Sequence, residues 1–161
     1  MSQRRQHPLR LPRCRFLQGS VLTVPADVAI PAAMEGTVTA KVAKEMTVEL
    51  VVEGANGPVT PDAEAILVDR EVSIVPDVVA NGGGVISSYF EWVQNHQKTS
   101  WTESQERGHV LDRLDKTWAR LADVAPNSWR AFALDTAILR VVEALVASGN
   151  LIQPELSSVE K

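Results

Sequence analysis

Val75 to Asn95 reads VPDVVANGGGVISSYFEWVQN. A β-branched run ends at Pro76-Asp77, three glycines follow at Gly82, Gly83 and Gly84, and an aromatic-rich segment with helical spacing comes next. Strand, glycine turn and helix in that order form the kind of corner where an open α/β sheet meets a small ligand. The pattern predicts a strand at Val72 to Val75 and a helix from Ser87 to about Gln97. Tyr89, Phe90 and Trp92 are expected to pack in the core.

Upstream, the same texture occurs twice more. Val24 to Ile30 can form a buried strand ending at Pro31, and Val48 to Val52 is a dense apolar run suited to a buried parallel strand. The segment Ala32 to Ala43 is compatible with a helix. Thr60 is a good N-cap, followed by Pro61 at the first helical position and by Asp62 and Glu64 in the first turn, so a helix should run to about Arg70. The order is β-α-β-α-β, which specifies parallel pairing with right-handed crossovers. Each strand should end in a small-residue turn: Pro31-Ala32-Ala33, Gly54-Ala55-Asn56, and Asn81 to Gly84. All three then share one sheet edge, at the carboxyl ends of the strands.

Downstream the chain reads as helical. Val110, Leu111, Leu114, Trp118, Leu121 and Ala122 carry a helical period through Glu103 to Val124. After Pro126, Ser128 can cap a last helix that ends at Gly149. The expected fold class is therefore α/β: a partial Rossmann-like unit of about three parallel strands with crossover helices, then a C-terminal helical segment. The expected divisions are an arm at 1–20, the α/β unit at 21–150 and a tail at 151–161.

With 161 residues, 45% hydrophobic and 22% charged, the chain has the size and balance of one globular domain. Its single cysteine, Cys14, excludes an internal disulfide and any multi-cysteine metal site, and suits a reducing, cytoplasmic setting. No run of about 18 apolar residues is present to span a membrane. Charge is uneven: residues 1–26 hold five arginines and no acid, and the remainder holds all 20 acidic residues against 11 Lys and Arg. An acidic body argues against general nucleic-acid binding, which needs a basic surface. The arginine-rich start has three readings. It can be a mitochondrial transit peptide, which Pro8 and Pro12 disfavour; a disordered basic arm; or a displaced start not native to the domain behind it.

Asn56 and Asn81 fall on the same sheet edge beside small residues. Each can hydrogen-bond its own turn, or the two together can hold a carboxamide or a ribose. Ser87 and Ser88 lie near the start of the long helix, where capping and carboxylate binding are both open. Glu91 has the residue type of a base but suits a solvated or capping role. His7, His96 and His109 lack metal-ligand spacing. No GxGxxG fingerprint follows any strand.

At these residues the sequence resembles the C-terminal part of the NAD(P)-binding domain of glutamate dehydrogenases. DVAIPAAME (Asp27 to Glu35) is similar to the family's D-x-L-I-P-A-A stretch. VEGANGPVTPDAEAIL (Val52 to Leu67) is similar to its E-G-A-N-G-P-T-T-P-E-A block. The opening stretch is similar to its P-D-x-x-x-N-A-G-G-V-x-x-S-Y-F-E-W-x-Q-N signature. The last helix, with Arg130 and Arg140, fits more loosely. The resemblance implies that Ala32, Ala33, Gly54, Ala55, Asn56 and Asn81 line the nicotinamide side of a cleft for NAD or NADP. It also implies that Ser88 binds the side-chain carboxylate of glutamate, with Val85 lining that pocket. SYFEW favours glutamate over branched-chain or aromatic substrates. Three positions depart: Gly36-Thr37 for the family's usual Asn-Gln, Gly82 for alanine, and the additional hydroxyl of Ser87.

The family's catalytic lysine and aspartate, and its glycine-rich pyrophosphate loop, have no matching stretch in the sequence. The expectation is a glutamate-dehydrogenase fragment, from a truncated gene, split gene or mis-set start, that converts no glutamate to 2-oxoglutarate alone. The alternative is a non-enzymatic module that docks onto a full-length dehydrogenase or another partner.

Overall fold

The computed structural model describes residues 19–150, so the arm, apart from its last two residues, and the tail lie outside the described residues. Three strands, β1 (Val28–Ala29), β2 (Leu50–Val52) and β3 (Ser73–Val75), form one parallel sheet in the order β1-β2-β3. Six helices accompany them: α1 (Ala40–Glu45), α2 (Pro61–Asp69), α3 (Asp77–Ala80), α4 (Gly83–Gln97), α5 (Glu103–Ala122) and α6 (Trp129–Ala147). This is a partial Rossmann-like α/β unit followed by helices.

Register divides the sheet's side chains between two faces. Ala29, Val51 and Ile74 stand side by side across the three strands, and all three are buried with Ala43 and Met46 of the α1 region and Ala63 and Leu67 of α2. Leu50, Val52 and Val75 face the other way. There they meet Leu121 at the end of α5 and Trp129 and Phe132 at the start of α6. Apolar residues at consecutive strand positions are what a sheet covered on both faces requires. Full burial of a side chain such as Leu67 contributes about 1.5–3 kcal/mol.

The starts of α2 and α5 follow their capping residues, whereas Ser128, expected to cap the last helix, precedes α6 without a side-chain capping bond. The Thr60 hydroxyl accepts the Ala63 N–H at 3.3 Å, with Pro61 opening the helix, so α2 forms where the sequence placed it. Thr102 and Gln105 form a reciprocal capping box at the start of α5. Arg70 donates to the carbonyls of Ala43 and Met46, which joins the end of α2 to the open carbonyls at the end of α1.

Three expectations are corrected. The first strand is two residues long, because a 3-10 turn occupies Val21–Thr23 and Pro25 offers no N–H to a ladder. The helix expected over Ala32 to Ala43 begins only at Ala40, capped by Thr39. Residues 36–38 pair instead with the segment after β2: Gly36 N–H donates to Gly57 O at 2.9 Å, and Val38 exchanges bonds with Pro58 and Thr60 at 2.9 and 3.1 Å. Gly36 sits at φ +63°, a left-handed conformation that glycine and asparagine adopt most easily.

The third correction concerns the opening stretch. Only Asn81 and Gly82 form a turn, between two helices, and the other two glycines are helical. β3 passes into the single-turn helix α3, Gly82 follows at φ −61°, and Gly83 and Gly84 begin α4. Of the aromatics in α4, only Phe90 is buried; Tyr89 and Trp92 are 51% and 59% exposed. Phe90 packs with Trp101 and His109, at centroid distances of 5.6 and 5.3 Å, and so closes the α4–α5 hairpin.

Candidate functional site

The carboxyl ends of the strands converge as the parallel order requires. Ala55 N–H donates to Pro31 O at 2.9 Å, which holds the turn after β2 against the turn after β1. The approach is close: a Cβ on Gly54 would stand 2.9 Å from the Cβ of Ala32, nearer than side chains pack. Gly54 is thus glycine for proximity, not for φ. Between the turns lies a groove of about 530 Å³ lined by Ala32, Ala33, Met34, Glu35, Gly54, Ala55 and Asn56.

Asn81, at the end of α3, reaches this edge from the third strand. Its Nδ2 donates to Asn56 Oδ1 at 2.7 Å. The bond leaves one amide donor group and one amide carbonyl without a side-chain partner among the described residues. That holds whichever way the two amides are oriented. A carboxamide offers the complementary pair, and the small side chains of Ala32, Ala33 and Ala55 leave room for a flat ring. The residues present fit a nicotinamide.

Val85 and Ser88 do not line this groove. Both lie on the solvent side of α4, Val85 with 76% of its surface exposed. The adjacent Ser87 donates from Oγ to Glu106 Oε1 at 2.8 Å and ties α4 to α5. Ser88 makes no side-chain hydrogen bond among the described residues, so its hydroxyl is the one free to meet a ligand. Glu91 is exposed. No group of three or more metal-ligating side chains occurs among the described residues.

A buried ionic cluster supports the edge from beneath. Glu53 follows β2 with no exposed surface. Its Oε1 accepts from Arg130 Nη2 at 2.8 Å and its Oε2 accepts from the Asp77 N–H at 2.8 Å. Arg130 Nε also donates to Glu64 Oε1 at 2.7 Å, and Nη1 lies 3.6 Å from Asp77 Oδ1. Asp77 Oδ2 in turn accepts the Gly57 N–H at 2.8 Å. Burial opposes the charge on Arg130, but the hydrogen bonds to Glu53 and Glu64 outweigh it and hold the guanidinium above its ordinary pKa. The first turn of α6 is thereby linked to the loop that carries Asn56. In the sequence Glu64 reads only as a first-turn acid, Asp77 only as the end of a strand and Arg130 only as a loose fit to the family's last helix, and Glu53 has no role there. The available signal was an acid ending an otherwise apolar strand, where burial demands a partner.

A short parallel sheet with close-packed small turns at the carboxyl ends of its strands, followed by helices, defines the class: a partial α/β unit of Rossmann type. The chain belongs to the family described as Glutamate/Leucine/Phenylalanine/Valine dehydrogenase, whose profile matches residues 5–149. Among its relatives, the NADP-specific glutamate dehydrogenase A1 of Halobacterium salinarum is 40% identical over 135 residues, 81% of this chain and 32% of that protein. The NAD-specific glutamate dehydrogenase A of the same organism is 39% identical over 132 residues, 80% of this chain and 30% of that protein. Among solved structures, the hetero-hexameric glutamate dehydrogenase from Thermus thermophilus in its Leu-bound form superposes with a TM-score of 0.70. It is 32% identical, with 83% of this chain and 32% of that one covered. The chain spans about a third of the length of the relatives it matches.

Proposed function

We propose that this chain forms the nicotinamide-side wall of a glutamate dehydrogenase site. In this reading Ala32, Ala33, Gly54, Ala55, Asn56 and Asn81 face NAD or NADP, and Ser88, with Val85 beside it, faces the side-chain carboxylate of glutamate or 2-oxoglutarate. The observation that carries the reading is the Asn81–Asn56 amide bond of 2.7 Å beside the small-residue groove. When bound, the cofactor supplies the carbon that takes a hydride in oxidative deamination. The chain's own part is to orient: the amides fix the carboxamide, Gly54 keeps the floor flat, and the free hydroxyl of Ser88 donates to a carboxylate.

These 161 residues alone are proposed not to turn over glutamate. Hydride transfer needs cofactor and amino acid held together at reacting distance, and the matched third of the relatives contributes one wall of each site. The test is NAD(P)H production by the purified chain with glutamate. No turnover is expected, and robust turnover overturns the inactivity. Weak cofactor binding is followed separately through tryptophan fluorescence, with Trp92 lying exposed on α4. The lone Cys14 supports a cytoplasmic setting, and among the described residues no helix is long and apolar enough to cross a membrane.

A second reading is a docking module for a full-length dehydrogenase. The outer side of α6 favours it: Ile138, Leu139 and Val141 are each about 60% exposed, with Val142 and Leu145 beside them. Size-exclusion and pull-down with a full-length family member test it. A monomer that melts cooperatively and captures no dehydrogenase counts against it.

A further inference from the structure

We propose that the cleft between α3, α5 and α6 is a binding site for a small aliphatic carboxylate, separate from the sheet edge. The cleft encloses about 210 Å³. Val79 and Phe132 contribute to an apolar floor, and Thr117, Arg120, Thr136 and Arg140 contribute polar groups. Helical spacing puts these groups on matching faces. Thr117 and Arg120 are three apart on α5, while Phe132, Thr136 and Arg140 recur every four residues on α6.

The charge pattern selects the ligand. No Asp or Glu lines the cleft. Arg120 and Arg140, like Arg107 and Arg113 elsewhere on α5, make no ion pair or side-chain hydrogen bond among the described residues, and of these four only Arg120 and Arg140 line the cleft. In a chain of formal net charge −4, two arginines on adjacent helices open onto one cleft with no acid between them. An anion in the cleft has both guanidiniums within its lining, and a guanidinium fork matches a carboxylate. Thr136 has no partner among the described residues and can add a hydroxyl donor. Thr117 already donates to Arg113 O at 2.9 Å and can only accept. The apolar floor is a poor match for a fully hydrated inorganic anion and a good one for a short hydrocarbon chain. The ligand class is therefore a carboxylate bearing a few methylenes.

The experiment titrates the full chain with glutarate, with hexanoate and with inorganic phosphate, following backbone and methyl NMR signals. Saturable shifts at Thr136, Ala137 and Phe132 with either carboxylate are expected, and Arg120→Gln and Arg140→Gln should each weaken binding about tenfold. Both arginines are exposed, so the variants should keep the fold, which an unchanged melting curve checks. The proposal is overturned if neither carboxylate gives saturable shifts there, if phosphate binds as well, or if both substitutions leave the affinity unchanged. Shifts confined to Ser88, Asn56 and Asn81 also overturn it while supporting the glutamate-site reading. That reading can equally fail while this one holds.

Discussion

Glu53 and Arg130 stand 77 residues apart in sequence and 2.8 Å apart in space, the glutamate with no exposed surface and the arginine side chain about three-quarters covered. Removing Arg130 strands the fully buried charge of Glu53, a loss of about 3–5 kcal/mol. Arg130→Met should therefore lower the melting temperature sharply. Glu53→Gln combined with Arg130→Met should recover part of the loss, because the one fully buried charge is then gone, while Glu64 and Asp77 keep some contact with solvent. A double-mutant cycle by thermal or urea unfolding measures this, and additive losses would refute the coupling.

The same cluster predicts a local effect distinct from stability. Asp77 holds the Gly57 N–H at 2.8 Å, so Asp77→Ala should speed amide exchange at Gly57 by more than global unfolding explains. Hydrogen-exchange protection at Gly57, compared with Val51 in the core, reads this directly.

Asn56 and Asn81 lie toward solvent, and their mutual bond contributes little to folding. Asn56→Ala and Asn81→Ala should change stability by less than about 1 kcal/mol. Each should also abolish whatever saturable fluorescence response NAD(H) or NADP(H) produces. A response unchanged in both variants would remove the amides from the cofactor wall.

Glycines at two places should answer differently to alanine. Gly84 is helical with nothing within 4 Å of an added Cβ, so Gly84→Ala should stabilise the chain by about 0.5–1 kcal/mol. Gly54→Ala forces a 2.9 Å contact with Ala32. It should destabilise by about 1–3 kcal/mol, in the manner of an overpacked core. Urea melts of the two variants should move in opposite directions.

Much of the fold was legible because the signals were local. Thr60-Pro61 fixed the start of α2, and the apolar runs before Glu53 and Pro76 located β2 and β3. The failures came from partners distant in sequence. Residues 36–38 fell inside a longer segment compatible with a helix, but their backbone groups bond to Gly57, Pro58 and Thr60. The glycines at 82–84 resembled a turn because glycine usually marks one, whereas here Gly83 and Gly84 open a helix whose φ values any residue can adopt. At the site, the small turns and both asparagines could be read from their positions after strands. The support beneath them could not, since nothing local joins Glu53 to a residue 77 positions later.

The short edge strand limits how anything can add to this sheet. β1 pairs only with β2 among the described residues, and Val28 and Ile30 remain partly open to solvent beside it. An unpaired edge ordinarily invites strand addition and aggregation. Here the ladder is two residues long, and Pro25 and Pro31 flank it without N–H donors, so an incoming strand finds few backbone groups to bond. Open-ended stacking of copies along this edge is therefore discouraged. A productive neighbour must bring apolar contact as well as hydrogen bonds, and so must be chosen by shape rather than by backbone alone.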